Sequence, residues 1–249
     1  MAHSRISPSG SDRWMQCAAS VPWSMDVPRS SNVASATGTL IHRIAEFGLR
    51  EAGDVSIYLN TCERVDGFDI TVGQKHLDIA QAYIDYIAQT HLELGGELHI
   101  EKRVCASEIH PECSGTADAV IVGPEKIIVC DLKTGRWGVD VEDNPQLKIY
   151  ALGALEMFGT EEHKIVETVI VQPTGWHRDG PIRSASYDVG NLVEWGFDTL
   201  RPAALACFEP DPEPVAGEHC RFCPAKPNCP MHSEGEANEI IGHKNQSSN

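Results

Sequence analysis

The chain has 249 residues, 41% of them hydrophobic, and a formal net charge of −16. That size and composition fit a globular protein of one large or two small domains. No stretch reaches the roughly 18 consecutive apolar residues of a membrane-spanning helix. Met1-Ala2-His3-Ser4-Arg5 is not followed by the apolar stretch of a signal peptide, so a cytoplasmic protein without membrane partners is expected. The acidity is spread along the chain and weighs against a nucleic-acid partner, which usually wants a basic surface. Two effects offset it: bound divalent cations neutralise carboxylates locally, and a narrow groove gripping one strand needs only local positive charge.

In chain order, apolar spacing at Leu40, Ile44 and Phe47 predicts a helix over 36–51. A longer helix over 73–94 carries Leu77, Ile84, Ile87 and Leu94 as its stripe and stops at Gly95-Gly96. Strands are predicted over 97–105, with Leu98, Ile100 and Val104 on one face, and over 114–122 and 126–133. The last two are separated by Gly123-Pro124-Glu125 and should pair as a hairpin. A helix over 143–158 with Leu147, Tyr150, Ala151, Ala154, Leu155 and Phe158 inward comes next, then strands near 164–172 and 182–188. A helix over 189–207 leads into the stiff, Pro-rich 209–214 connector. The polar tail beyond 232 is expected to be disordered. The expected class is α/β, a mixed sheet flanked by helices. It reads as one domain over 1–232: a helical part (1–95), a core (96–190), and a C-terminal helix with a cysteine loop (191–232).

Residues two apart on a strand share a face. Asp131 and Lys133 are therefore neighbours, and Asp118 should share its face with Val120 and Val122. Two carboxylates and a lysine among β-branched residues are costly to bury unpaired. A hard divalent cation, Mg²⁺ or Mn²⁺, is the partner that oxygen ligands favour. Such a centre suits phosphodiester hydrolysis, with Lys133 orienting or deprotonating water or steadying negative charge. Taken alone, Asp-x-Lys also fits a surface ion pair, and a histidine facing away from an apolar stripe, as His42 does, fits a surface residue.

Nine cysteines are present. Cys62, Cys105, Cys113, Cys130 and Cys207 are isolated and read as buried small hydrophobes. Cys220, Cys223 and Cys229 form a C-x2-C-x5-C run, and three thiolates need a fourth ligand for a closed site. Cys17 is the natural candidate. The residues alone leave zinc open, with His219 or His232 able to substitute.

Gly115-Thr-Ala-Asp118, Asp131-Leu-Lys133-Thr-Gly and Gln146-Leu-Lys-Ile-Tyr150 follow His42 and Glu101 in the order H, E, G-x-x-D, D-x-K, Q-x-x-x-Y. This series resembles the RecB-like branch of the PD-(D/E)XK nucleases. Ser7-Pro-Ser-Gly-Ser-Asp-Arg-Trp-Met-Gln-Cys17 with the C-terminal cysteine run resembles the cluster-bearing members of that branch, including CRISPR-associated and phage-borne exonucleases. The resemblance implies a restriction-endonuclease-like fold with a [4Fe-4S] cluster on Cys17, Cys220, Cys223 and Cys229 joining the two ends of the chain. It implies metal ligation by His42, Asp118, Asp131 and the Leu132 carbonyl, Lys133 as catalytic lysine, and Glu101 as support or ligand of a second metal. Gln146 and Tyr150 would contact DNA. The implied activity is a Mg²⁺- or Mn²⁺-dependent exonuclease on single-stranded or duplex ends, working with recombination or replication proteins. A non-catalytic DNA-binding or assembly module of the same fold is the alternative.

Overall fold

The computed structural model describes residues 4–28 and 30–231. His232 and the polar tail lie outside the described residues. A five-stranded sheet runs β3 (Glu97–Cys105), β4 (Ser114–Val122), β5 (Lys126–Leu132), β6 (Ile165–Val171) and β7 (Ile182–Asp188), with its strands in sequence order. All neighbours are antiparallel except β5 and β6, which are parallel. The crossover between those two is α4 (Pro145–Phe158), as parallel strands require. Asn144 starts this helix by accepting from the Leu147 amide at 3.2 Å, with Pro145 in the first turn, where its missing N–H is harmless.

The sheet separates two apolar cores. On one face lie α4, the N-terminal turns including α1 (Ser11–Trp14), and the C-terminal helices α5 (Val189–Trp195) and α6 (Arg201–Ala206). A π-helical turn, Gly196–Leu200, joins α5 to α6 without a break, so the predicted 189–207 helix runs continuously to Ala206 with a π turn in its middle. On the other face lie α2 (Val33–Glu51), α3 (Gln74–Leu94) and the small hairpin β1 (Cys62–Val65) and β2 (Phe68–Thr71). Helix α2 begins three residues earlier than predicted. There Asn32 and Ser35 cap one another reciprocally, the Ser35 amide at 2.9 Å from Asn32 Oδ1 and the Asn32 amide at 3.0 Å from Ser35 Oγ.

Two expectations are corrected. Residues 1–95 are not purely helical, because β1 and β2 form a hairpin whose turn residues Asp66 and Gly67 both have positive φ (48° and 88°). Asp-Gly is the preferred pair for that turn. The isolated cysteines are not all buried either: Cys113, Cys130 and Cys207 are, but Cys105 is half-buried and Cys62 exposed.

The chain ends are joined by packing. Ile6, Trp14 and Val21 share one core with Leu200, Ala204 and Cys207. The Trp14 indole donates to the Ser7 carbonyl at 2.9 Å, and Arg5 pairs with Glu112 through Nε at 2.7 Å.

Helix α4 lies close on β3 at Gly153, where an added Cβ would stand 3.0 Å from both the Cys105 amide nitrogen and Val104 Cβ. The backbone there cannot yield. Gly153→Ala is therefore expected to destabilise by about 1–2 kcal/mol despite its better helix propensity. That is a fall of roughly 2–8 °C in Tm for a chain of this size, measured by thermal unfolding.

Candidate metal centre

The centre arises from a paired irregularity in β3 and β4. The two strands pair regularly from Glu97 opposite Val122 to Ile100 opposite Ala119, and again from Lys102 opposite Ala117. Between these stretches Glu101 faces Asp118 outside the ladder, and Glu101 has φ 47°. A side chain other than glycine in that left-handed region is strained, and such strain clusters at functional sites. It also switches faces. Leu98 packs toward α2 and α3 and His99 stacks on Phe158 of α4, yet beyond the irregularity Lys102 lies over Phe158 and Val104 joins the α4 core. On β4, Ala117 belongs to the α4 core and Ala119 to the α2 core, although they are two residues apart.

Strict alternation had put Asp118 with Val120 and Val122, and Val104 with Leu98. Both groupings are corrected: Val120 and Val122 pack on the α4 side, whereas Asp118 turns to His42 on α2, with Oδ1 at 3.3 Å from Nδ1. Glu101 turns the same way. His42, Glu101 and Asp118 each present a ligand atom, all within 4.8 Å of one another. This trio lines an open cleft of about 410 Å³ with Ser35, Gly38 and Thr134. His42 thus faces away from its own helix stripe but toward a neighbouring strand, at 30% side-chain exposure.

The β4–β5 ladder ends at Ala119 opposite Cys130. One step beyond, the Leu132 amide donates to Asp118 Oδ2 at 2.7 Å. Asp131, 4% exposed, points to the α4 side. Its Oδ1 accepts from Gln146 Nε2 at 3.1 Å. Its Oδ2 stands 2.9 Å from Lys133 Nζ but, at that angle, has no hydrogen-bond partner. The lysine instead donates to Gln146 Oε1 at 2.9 Å. Two groups, His42–Glu101–Asp118 and Asp131–Lys133–Gln146, therefore flank the splayed strand end and are bridged by the Leu132 backbone. Tyr150 is 6% exposed and packs with Pro8 close over Gly115. It stands beside Gln146 on the same face of α4, largely enclosed.

Sequence reasoning missed the small residues of the cleft and Tyr83. The run Ala34-Ser-Ala-Thr-Gly38 was their signal: a Cβ at Gly38 would meet Thr134 Oγ1 at 3.0 Å. Tyr83, buried on α3, lies beneath the carboxylates. Burial, then the charge of Asp118, hold its hydroxyl far above its ordinary pKa.

Burial pushes Asp131 up to about 6, with Asp118 adding and Lys133 opposing. Burial likewise pushes Glu101 up to about 7, with Asp118 and Glu46 adding and His42 and Arg50 opposing. Burial alone would lower His42, but the charge and hydrogen bond of Asp118, helped by Asp131 and Glu101, raise it to about 9. An acid-rich pocket that retains protons in this way, with three ligand atoms within 4.8 Å of one another, fits a divalent cation.

Without metal, each of these groups binds its proton more tightly folded than unfolded. The stability they contribute is present at low pH and is lost as pH rises through about 6, 7 and 9 in turn. Metal-free protein should therefore lose Tm between pH 5 and 8. Millimolar Mn²⁺ should restore it strongly at pH 8 and barely at pH 5, because ligation needs deprotonated ligands. Melting curves at both pH values with Mn²⁺ or EDTA check this, and equal metal shifts at both would contradict it.

The other sequence-predicted ligands share a cavity but are not in a cluster arrangement among the described residues. Cys17, Cys220, Cys223 and Cys229 line one largely apolar cavity of about 120 Å³ with Trp23 and Met231. Cys17 Sγ accepts from the Val215 amide at 3.4 Å, and His219 bonds to Gln16 Oε1 at 3.2 Å and the Val215 carbonyl at 2.9 Å. Among the described residues no three of these sulfurs lie within 4.8 Å of one another. They share a cavity without forming the closed tetrahedron of a single ion, whose sulfurs would sit about 3.8 Å apart at ordinary zinc–sulfur lengths.

Among described residues no helix is long and apolar enough to cross a membrane. Among solved structures, the chain is similar to that of SSO0001, with 16% identity, a TM-score of 0.33, and coverage of 88% of this chain and 96% of that one. A family described as protein of unknown function (DUF2800) matches residues 3–247, and the chain belongs to that family.

Proposed function

We propose that this protein is a divalent-metal-dependent DNA nuclease of the RecB-like PD-(D/E)XK kind. The observation that carries the reading is the convergence of His42, Glu101 and Asp118 within 4.8 Å beside Asp131 and Lys133, with Glu101 held at a left-handed φ of 47°. His42, Asp118 and Asp131, with the Leu132 carbonyl, are the expected ligands of Mg²⁺ or Mn²⁺, and the proximity of Glu101 adds it to them. The metal, when bound, supplies a Lewis acid for the phosphoryl oxygens and lowers the pKa of water.

The chain's own groups do the rest. Gln146 holds Lys133 and Asp131 in register, from the amide to one and the carbonyl to the other. Lys133, only partly exposed and fixed by two partners, presents its ammonium to a phosphate at the cleft to orient water or steady developing charge. Tyr150, one helical turn on from Gln146, hydrogen-bonds to it. Exonucleolytic cleavage of single strands or duplex ends, in DNA processing or recombination, is the preferred mode. The net charge of −16 favours the second reading, a DNA-binding or assembly module without catalysis. End-labelled DNA digested with Mn²⁺ separates them. Asp131→Ala and Lys133→Ala should each lower the rate by about 10²–10⁴-fold. Activity equal to wild type in both would remove the nuclease reading.

We also propose that the four-cysteine cavity takes a [4Fe-4S] cluster with a structural role. The gathering of all four cysteines on one largely apolar cavity and the Val215 amide donating to Cys17 Sγ support this, since thiolates are the ligands such a cluster takes. Anaerobically purified protein should be brown, with absorption near about 400 nm, and Cys223→Ser should lose colour and aggregate. Colourless protein with stoichiometric zinc would establish a zinc site instead.

A further inference from the structure

Trp137 and Trp176 are each 82% exposed, and their backbones pair as an isolated parallel bridge. Tryptophan is the side chain that gains most from leaving water. Two adjacent in the open are therefore a patch that asks for a partner. They lie on the loops that follow β5 and β6, so both leave the sheet at the carboxyl ends of its parallel strands, where α/β sheets bind ligands.

These loops are held firmly. Gln172, fully buried, donates from Nε2 to the carbonyls of Gly135 and Trp137 at 2.9 and 2.7 Å. Its Oε1 accepts from the Val139 amide at 3.1 Å and from Arg183 Nη2 at 2.7 Å. Thr174 Oγ1 donates to the Thr134 carbonyl at 3.2 Å. At Gly138 the loops approach so closely that a Cβ would stand 2.6 Å from the Trp176 carbonyl. The two indoles are thus presented on a fixed platform, the arrangement that lowers the entropy cost of stacking.

Trp137 is four residues beyond Lys133, within about 14 Å along the chain, and Thr134 between them lines the carboxylate cleft. Arg136 is exposed and has no carboxylate partner among the described residues. In a chain this acidic, a cation left unpaired beside two open indoles matches a phosphate chain carrying planar bases.

We propose that Trp137 and Trp176 form a base-stacking platform, with Arg136 on the backbone phosphate, that grips a single strand of nucleic acid entering the cleft. This rests on the nuclease reading for the strand's destination, though not for its binding. Every base has a π-face, so such a grip is tolerant of sequence and selects single strands over duplex.

The experiment is fluorescence anisotropy of an end-labelled oligo-dT with the full chain in EDTA, where no cleavage occurs. Trp137→Ala and Trp176→Ala should each weaken binding roughly ten-fold or more, and Trp→Phe should retain most of the affinity. Arg136→Gln should lessen the salt dependence by about one phosphate contact. Melting temperatures should not move, since both indoles stand in solvent. Wild-type affinity in both alanine variants, or no oligo-dT binding by wild type, overturns the platform. So does sedimentation showing that the tryptophans hold two copies of the chain together while oligo-dT binding is unchanged. Tryptophan-dependent binding without Mn²⁺-dependent cutting would keep the platform and remove the nuclease. Cutting without tryptophan dependence would do the reverse.

Discussion

The arrangement at the centre depends on one backbone irregularity, the point where Glu101 and Asp118 face each other outside the β3–β4 ladder. A regular antiparallel pair would send every second residue to the same side of the sheet. Asp118 would then join Val120 and Val122 against α4, burying a carboxylate in an apolar layer. The left-handed φ of Glu101 resets the alternation in β3, the matching shift in β4 does the same, and both carboxylates emerge toward His42. Arg50 supports the distorted strand, donating to the Ile100 carbonyl at 2.7 Å while pairing with Glu46 at 2.8 Å. The strain is thus balanced by contacts from α2, the helix that also brings the histidine.

The end of the β4–β5 ladder completes the design. Beyond Cys130 the Leu132 amide has no strand partner in β4, and a buried donor left unmade would be expensive. The Asp118 carboxylate accepts it. One side chain therefore finishes the sheet and takes part in the candidate centre, and it joins the histidine side of the sheet to the side of Asp131, Lys133 and Gln146. On that second side, Lys133 pairs with Asp131 at 2.9 Å and donates to Gln146 at 2.9 Å, so the lysine is held between them.

The N-terminal turns and the C-terminal helices are held together by packing. Trp14, Ile6 and Val21 pack with the C-terminal helices, and the Cys207 thiol reaches the Trp14 carbonyl at 3.7 Å. The cysteine cavity lies next to this apolar contact rather than replacing it. A group bound there would close a very long loop, a constraint on the unfolded chain, on ends that already meet.

From α3 to β7 the element order was legible in the chain, with strands β3 to β5 correct to within a residue, the turn at Gly123, and α4 correct to within two residues. Period-two and period-3.6 patterns and turn residues are local properties that need no partner to be read. The series His42, Glu101, Asp118, Asp131, Lys133 and Gln146 was legible only through the motif order it resembles, since spacing alone does not single out His42. The face that each of those residues occupies was settled by packing between elements. Alternation predicts a face until one residue breaks it, and nothing in Ile100-Glu-Lys102 announces a positive φ, because glutamate gains nothing locally from that conformation. It is imposed by the helix and strand on either side. The enclosure of Tyr150, the closeness of Glu101 to His42 and Asp118, and the exposed pairing of Trp137 with Trp176 were likewise decided by packing between segments distant in the chain.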